Sequence, residues 1–203
     1  MGRFTGSASW LSKATLLALA CALLFAGCAH DPERIPVPAH RFTRLFSGDK
    51  HLVKGVMKEM TPTAVEGRLI MSAAYFYALS SDPEVVYLNI ECVQHLGGFP
   101  EVAAEIALQG LLQNPNDRLA VFLAMEASRS DDEGRFTTDL GPSMLAAYSQ
   151  LDSAGRSHVA VFFLDAEQRG RHRLRDLEAR GLSVPTGLRQ LMTQISNGSY
   201  TGD

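Results

Sequence analysis

The chain reads as an all-α protein, and three observations carry that reading. Apolar residues recur at three- and four-residue spacing through most of its length, and short β-branched alternating runs bounded by turns are missing. Proline, glycine and N-cap residues then cut the pattern into pieces that each fit one helix. Hydrophobic residues are 46% of the 203 and charged residues 20%, the balance of a chain that folds around a core. A disordered, collagenous or multispan membrane protein is excluded on those grounds.

The elements follow in order. A helix is expected over residues 49–60, with Leu52, Val53, Val56, Met57 and Met60 on one face, and Thr61-Pro62 breaks it. Thr63 with Glu66 three residues later has the form of a capping box and opens a helix to about residue 80. Asp82-Pro83 sets an N-cap before a proline at the first helical position, and Gly97-Gly98 stops that helix after Leu96. Pro100 opens the next, over 101–113, and Asn114-Pro115 closes it; Asp117 caps a helix to about residue 128. A polar loop runs from Ser130 to Gly141, and further helices are expected over 142–152, 157–168, 171–180 and 185–196. Residues 47–196 thus form one helical domain, and 197–203 a frayed tail.

Upstream of the domain the composition changes. Residues 1–27 hold two bases, Arg3 and Lys13, and no acid. The uncharged run from Ala14 to Gly27 is shorter than the ~20 residues of a transmembrane helix. It ends in Leu24-Phe25-Ala26-Gly27-Cys28, small residues immediately before a cysteine. This resembles the lipobox of bacterial lipoproteins. The resemblance implies a signal peptide over 1–27, cleavage before Cys28, and acylation of the Cys28 sulfur that ties the chain to a lipid bilayer. Ala29, rather than Asp, follows the cysteine. By the family's sorting rule this implies the outer membrane, with the domain in the periplasm. Pro32, Pro36 and Pro38 make residues 28–46 a flexible spacer.

Charge and cysteine usage narrow the partners. Residues 28–203 carry 17 bases and 22 acids, a net charge of −5, which gives no general attraction for nucleic acid. After cleavage and acylation only Cys92 remains, so neither an intramolecular disulfide nor a cysteine zinc site can form. No metal and no cofactor are expected.

Aligning Pro83 on Pro115 superposes residues 78–83 on residues 110–115, with a small residue five before each proline. Ala103 stands four before Ala107, and Gly98 turns the chain ahead of that helix. The run from Gly98 to Asp117 resembles the second half of a tetratricopeptide repeat, although the prolines are 32 apart where the family spacing is about 34. The resemblance covers residues 63–127 and implies a solenoid of helix hairpins with a hollow face that holds a partner. On it, the face Val85, Leu88, Cys92, His95 and Leu96 is the expected groove. Val86, Ile90 and Val93 form a second apolar stripe on the same helix.

Other clusters carry less. Cys92 and His95 are one turn apart, but no orienting group or oxyanion donor accompanies them. Ser143, His158 and Asp165 supply hydrolase atoms without a nucleophile elbow around the serine. Asp131-Asp132-Glu133 lacks calcium-loop spacing and reads as a solvated turn. Arg169, Arg171, Arg173 and Arg175 form the one dense basic cluster, an expected contact for phosphate or an acidic partner. The function expected is therefore not catalysis. It is that of an envelope scaffold binding another cell-envelope protein, as in pilus or secretion-channel biogenesis, with a carrier of lipid or an envelope hydrolase as the alternatives.

Cys28→Ser is expected to abolish acylation and leave the chain unprocessed or released from membranes. Metabolic labelling with a fatty-acid analogue checks this, and unchanged labelling of the variant contradicts it.

Overall fold

The computed structural model describes residues 39–135, 140–171 and 173–201. The signal peptide expected over 1–27, Cys28 and the larger part of the spacer lie outside these residues. Ten α-helices occur among the described residues: α1 (Ala39–Leu45), α2 (Lys50–Glu59), α3 (Ala64–Ala78), α4 (Pro83–Gly97) and α5 (Pro100–Gln113) come first. Then follow α6 (Arg118–Ser130), α7 (Leu140–Tyr148), α8 (Ser153–Gln168), α9 (Arg173–Ala179) and α10 (Thr186–Ser196). The all-α class is as the sequence predicts.

Side-chain caps start the helices where the sequence places them. Asp49 accepts the backbone N–H groups of His51 and Leu52 at the head of α2. Thr63 accepts that of Glu66 at α3, and Asp82 that of Glu84 at α4. Asp117 accepts those of Leu119 and Ala120 at α6. Each cap satisfies donors that the helix cannot, typically worth about 1 kcal/mol. The Tyr75 hydroxyl of α3 also donates to the Asp117 carboxylate, tying the end of one hairpin to the turn of the next.

Three expectations are corrected. First, the spacer does not reach residue 46. Helix α1 belongs to the domain, because Leu45 is fully buried and its carbonyl accepts the Tyr77 hydroxyl at 2.5 Å. Second, the helix expected over 142–152 ends at Tyr148, and α8 begins at Ser153, not at 157. Asp152 caps α8 through the Gly155 N–H at 2.9 Å, and buried Leu151 packs on Gly155. At its other end, α8 closes on Gly170, whose φ of 72° suits the Arg171 N–H bond to the Ala166 carbonyl. Third, the described part of the tail is not free, since the Ser157 hydroxyl donates to that of Tyr200 at 2.6 Å.

Within Val37–Asp203, which forms one compact unit, consecutive helices pair and alternate helices stack. Hairpins form between α1 and α2, α3 and α4, α5 and α6, and α7 and α8. The even helices contact one another in sequence, α2 to α4 to α6 to α8 to α10. So do α3, α5, α7 and α9. Two rows result, with the core between them: Leu88, Cys92 and Leu96 of α4, Ala103 and Ala107 of α5, Leu123 of α6, and Phe162 and Phe163 of α8. Each large apolar side chain buried there contributes about 1.5–3 kcal/mol.

Small residues set the row spacing. A Cβ on Gly97 would come within 2.5 Å of the Glu126 Cβ and 3.3 Å of its backbone carbon. A Cβ on Gly55, in α2, would meet only the tip of the Arg44 side chain, at 3.3 Å. Gly97→Ala is therefore expected to lower the melting temperature, the clash costing about 1–3 kcal/mol. Gly55→Ala should raise it, through a helix-propensity gain of up to about 1 kcal/mol. Thermal unfolding followed by circular dichroism checks the pair, and equal effects of both substitutions would contradict the close crossing.

Candidate functional site

Burial of α4 sorts its residues into two opposite faces. Leu88, Cys92 and Leu96 lie 0–1% exposed in the core, and Val85 packs against it. His95 is half-buried beside Phe99, with ring centroids 5.6 Å apart. The expected groove set is thus the packing face of α4, for the ordinary reason that a regularly spaced apolar stripe is usually core. The second stripe divides: Val93 is buried, Val86 is intermediate and Ile90 is 37% exposed. What α4 shows to solvent is Glu84, Tyr87, Ile90 and Gln94, with Tyr87 64% exposed.

The next even helices continue this outward strip. Along that side α6 presents exposed Arg118 and Arg129 with partly buried Phe122 and Glu126, and α8 presents partly buried Ser157, His158, Val161 and Asp165. Polar pairs cross each seam. Lys54 of α2 meets Glu91 of α4 at 2.7 Å, and Arg118 meets Asp152 at 3.2 Å. Arg129 bonds Asp165 at 2.9 Å and Glu126 at 2.9 Å. Exposed pairs of this kind stabilise by about 0–1 kcal/mol each, so their larger effect is on the charge pattern of the strip.

Between those pairs sits an apolar contact. The ring of His158 stacks on Phe122, centroids 5.0 Å apart and planes 23° apart. Burial first, then the charges of Arg118 and Arg129, pushes the His158 pKa below its usual value, and burial does the same to His95. The buried His158 Nδ1, His95 Nε2 and Asn89 Oδ1 have no hydrogen-bond partner among the described residues.

The residues singled out for hydrolase chemistry are not assembled. Ser143 lies half-buried on α7, and no hydrogen bond joins it to His158 among the described residues. Asp165 is taken by Arg129. Burial, with a smaller push from Glu91, raises the Cys92 thiol to about 12. It is therefore protonated at neutral pH and is no nucleophile in this state.

The basic cluster is divided in the same way. Arg173 is buried at 7% exposure, its guanidinium 5.5 Å from the Phe162 ring centroid. Arg171 donates to the carbonyls of Asp131 and Asp132, and Arg169 to that of Ser128 at 3.3 Å. Asp131 is itself buried, its carboxylate accepting the Arg135 N–H at 3.1 Å, so the acidic run is not merely solvated. Arg175 remains exposed. Arg169 and Arg171 thus fasten the end of α6 and the loop after it to the turn between α8 and α9, so the cluster is not a single free cationic surface. Two clefts lie nearby. One of about 290 Å³ is lined by Leu164, Met192, Glu167 and Arg189 among others, and one of about 240 Å³ by Arg171, Arg173, Asp176 and Arg180 among others. Both linings mix charged and apolar groups.

Comparisons with protein-family models, with curated proteins and with solved structures find no match.

Histidines held neutral by burial make stability depend on pH. The unfolded chain binds protons below about pH 6.5, while folded His158 and His95 resist them. Stability is therefore expected to fall as pH drops through that range. His158→Phe, which keeps the stack on Phe122 and removes one titrating group, should flatten the fall. Melting temperatures compared at about pH 7.5 and about pH 5.5 check this; a slope unchanged by the substitution would contradict it.

Proposed function

We propose that this is a lipid-anchored, tetratricopeptide-like solenoid whose even-helix strip holds a segment of another cell-envelope protein. The observation that carries the reading is the outward strip of α4, α6 and α8. It runs across three adjacent helices, with exposed Tyr87 and Ile90 on α4 and partly buried Phe122 and Val161 on α6 and α8, and is edged by charges at Glu91, Arg118 and Arg129. An apolar centre with a charged rim is the anatomy of protein interfaces, and exposed tyrosine is among their preferred anchors. Alternate-helix stacking in two rows is the packing expected of hairpin repeats, which present such a strip along one side. Leu24-Phe25-Ala26-Gly27-Cys28 supports the anchor, and Ala29 supports the outer membrane. Together they give a domain held near a bilayer with one long binding side. The reading needs no nucleophile, metal or cofactor. Recruitment within pilus, secretion-channel or cell-wall machinery is the class of role this arrangement suits.

Substitutions on the strip should act without unfolding the domain. Tyr87→Ala combined with Ile90→Asp is expected to weaken partner capture about tenfold or more, a change of roughly 1.4 kcal/mol, with helicity unchanged. A photo-crosslinking residue at Tyr87 should give one discrete adduct in intact cells, and the same residue at Leu112, on the other row, should not. Cys92→Ser and Ser143→Ala should be silent. Loss of function with either of those two at normal protein level, or no adduct at Tyr87, would contradict the scaffold reading.

A further inference from the structure

The N-terminal end of the described domain carries an aromatic patch that the other described residues leave partly exposed. Phe42 of α1 stacks on Phe46, with centroids 4.7 Å apart, and Phe46 meets Phe76 of α3 edge-on at 5.5 Å. Phe42 and Phe76 remain 41% and 40% exposed, and Leu79, one turn beyond Phe76, is 79% exposed. Scattered exposed apolar residues need no explanation, but a run of touching rings spanning two helices marks a docking surface.

Charge is distributed to match. Residues 39–60 hold five bases and two acids, a net charge of +3, whereas residues 80–203 carry 10 bases and 17 acids, a net charge of −7. Lys50, Lys54 and Lys58 stand four apart on α2, and they are the chain's lysines after Lys13. Arg41, Arg44 and Lys54 are paired with Glu66, Glu59 and Glu91, while Lys50 and Lys58 are exposed.

Chain length supplies the third observation. Ten residues separate Cys28 from Ala39, and the eleven steps between them, fully extended, reach at most about 40 Å. An acylated Cys28 therefore keeps α1 within that distance of the bilayer, where even a weak surface contact is strongly populated. Aromatic rings settle at the headgroup level of a membrane, and exposed lysines on the neighbouring helix α2 are drawn to anionic lipid.

We propose that the α1–α2 end of the domain docks on the phospholipid bilayer itself, through Phe42, Phe76 and Leu79 with Lys50 and Lys58 toward anionic headgroups. This leaves the even-helix strip free for its partner. The proposal rests on the lipid-anchor reading, and the two can be separated in one sample. Trp10, the only tryptophan in the chain, lies in the segment that cleavage before Cys28 removes, so a single new tryptophan reports its own depth, and Trp10→Phe keeps this true of any unprocessed chain. Full-length protein carrying Phe42→Trp, Leu79→Trp or Leu182→Trp is purified from membranes. It is then reconstituted into phosphatidylethanolamine–phosphatidylglycerol vesicles with or without brominated acyl chains.

Bromine should quench at least half the emission at positions 42 and 79 and leave position 182, in the turn between α9 and α10, unchanged. Adding Lys50→Glu with Lys58→Glu should reduce the quenching at 42, and circular dichroism checks that each variant is folded. Equal quenching at all three positions, or none at 42 and 79, overturns the docking face. So does emission at 42 that changes with protein concentration and not with bromine, since a second copy would then cover the patch. Intact mass on the same sample reads the acyl chains. Quenching without acylation overturns the anchor alone, and acylation without position-dependent quenching overturns the docking face alone.

Discussion

At the crossing of α4 and α6, Gly97 presents no side chain to Glu126, and a Cβ there would lie 2.5 Å from the Glu126 Cβ. That one close approach fixes where α6 lies against α4, and much else depends on it. With α6 seated there, Arg129 on its outward side reaches Asp165 of α8, and Phe122 reaches His158. The next even helix is thereby placed as well. Ala103, Ala107, Ala120 and Ala124, all fully buried, give the same closeness between the rows. Packed interiors tolerate little change in volume, so small residues at crossings determine geometry more than large ones that fill what remains.

This constraint has a consequence for chemistry. Among the described residues, Cys92, His158, Asp165 and Arg173 are occupied in helix packing or kept neutral. Cys92 is a protonated core thiol, His158 is a neutral ring in a stack, Asp165 is an ion-pair partner and Arg173 is a buried cation over Phe162. Side chains left to act on something else are those on outward surfaces. Exposed large apolar side chains among the described residues include Tyr87 and Ile90 on the even row and Phe42, Phe76 and Leu79 at the α1 end, beside others such as Leu112 and Leu182.

The helices from residue 49 to residue 130 were legible because their boundaries are local. Asp49, Thr63, Asp82 and Asp117 cap, Pro83 and Pro100 open, and Gly97-Gly98 and Asn114-Pro115 close, all within a few residues of sequence. The turn between α7 and α8 was not legible. Residues 149–152 contain no glycine or proline, and Asp152 reads equally as the last residue of one helix or the cap of the next. Helix α1 was hidden behind the prolines that precede it; only its contact with Tyr77 shows that it belongs to the domain. The exposed face of α4 was not legible for a different reason. Periodicity displays apolar stripes on α4 without saying which one another helix covers, so Leu88 and Cys92, which are buried, read no differently from Ile90, which is exposed. Likewise the fate of Arg173 depends on Phe162, which no spacing rule connects to it.

The account stands on the even helices lying side by side, since the strip exists only if they do. The most direct measurement is the set of nuclear Overhauser contacts in a selectively labelled sample of the folded protein. Cross-peaks are predicted between the Phe122 and His158 rings, whose centroids are 5.0 Å apart, and between the Gly97 α-protons and the Glu126 β-protons. A helical, folded protein lacking both sets of cross-peaks would contradict the two-row packing, and with it the binding strip.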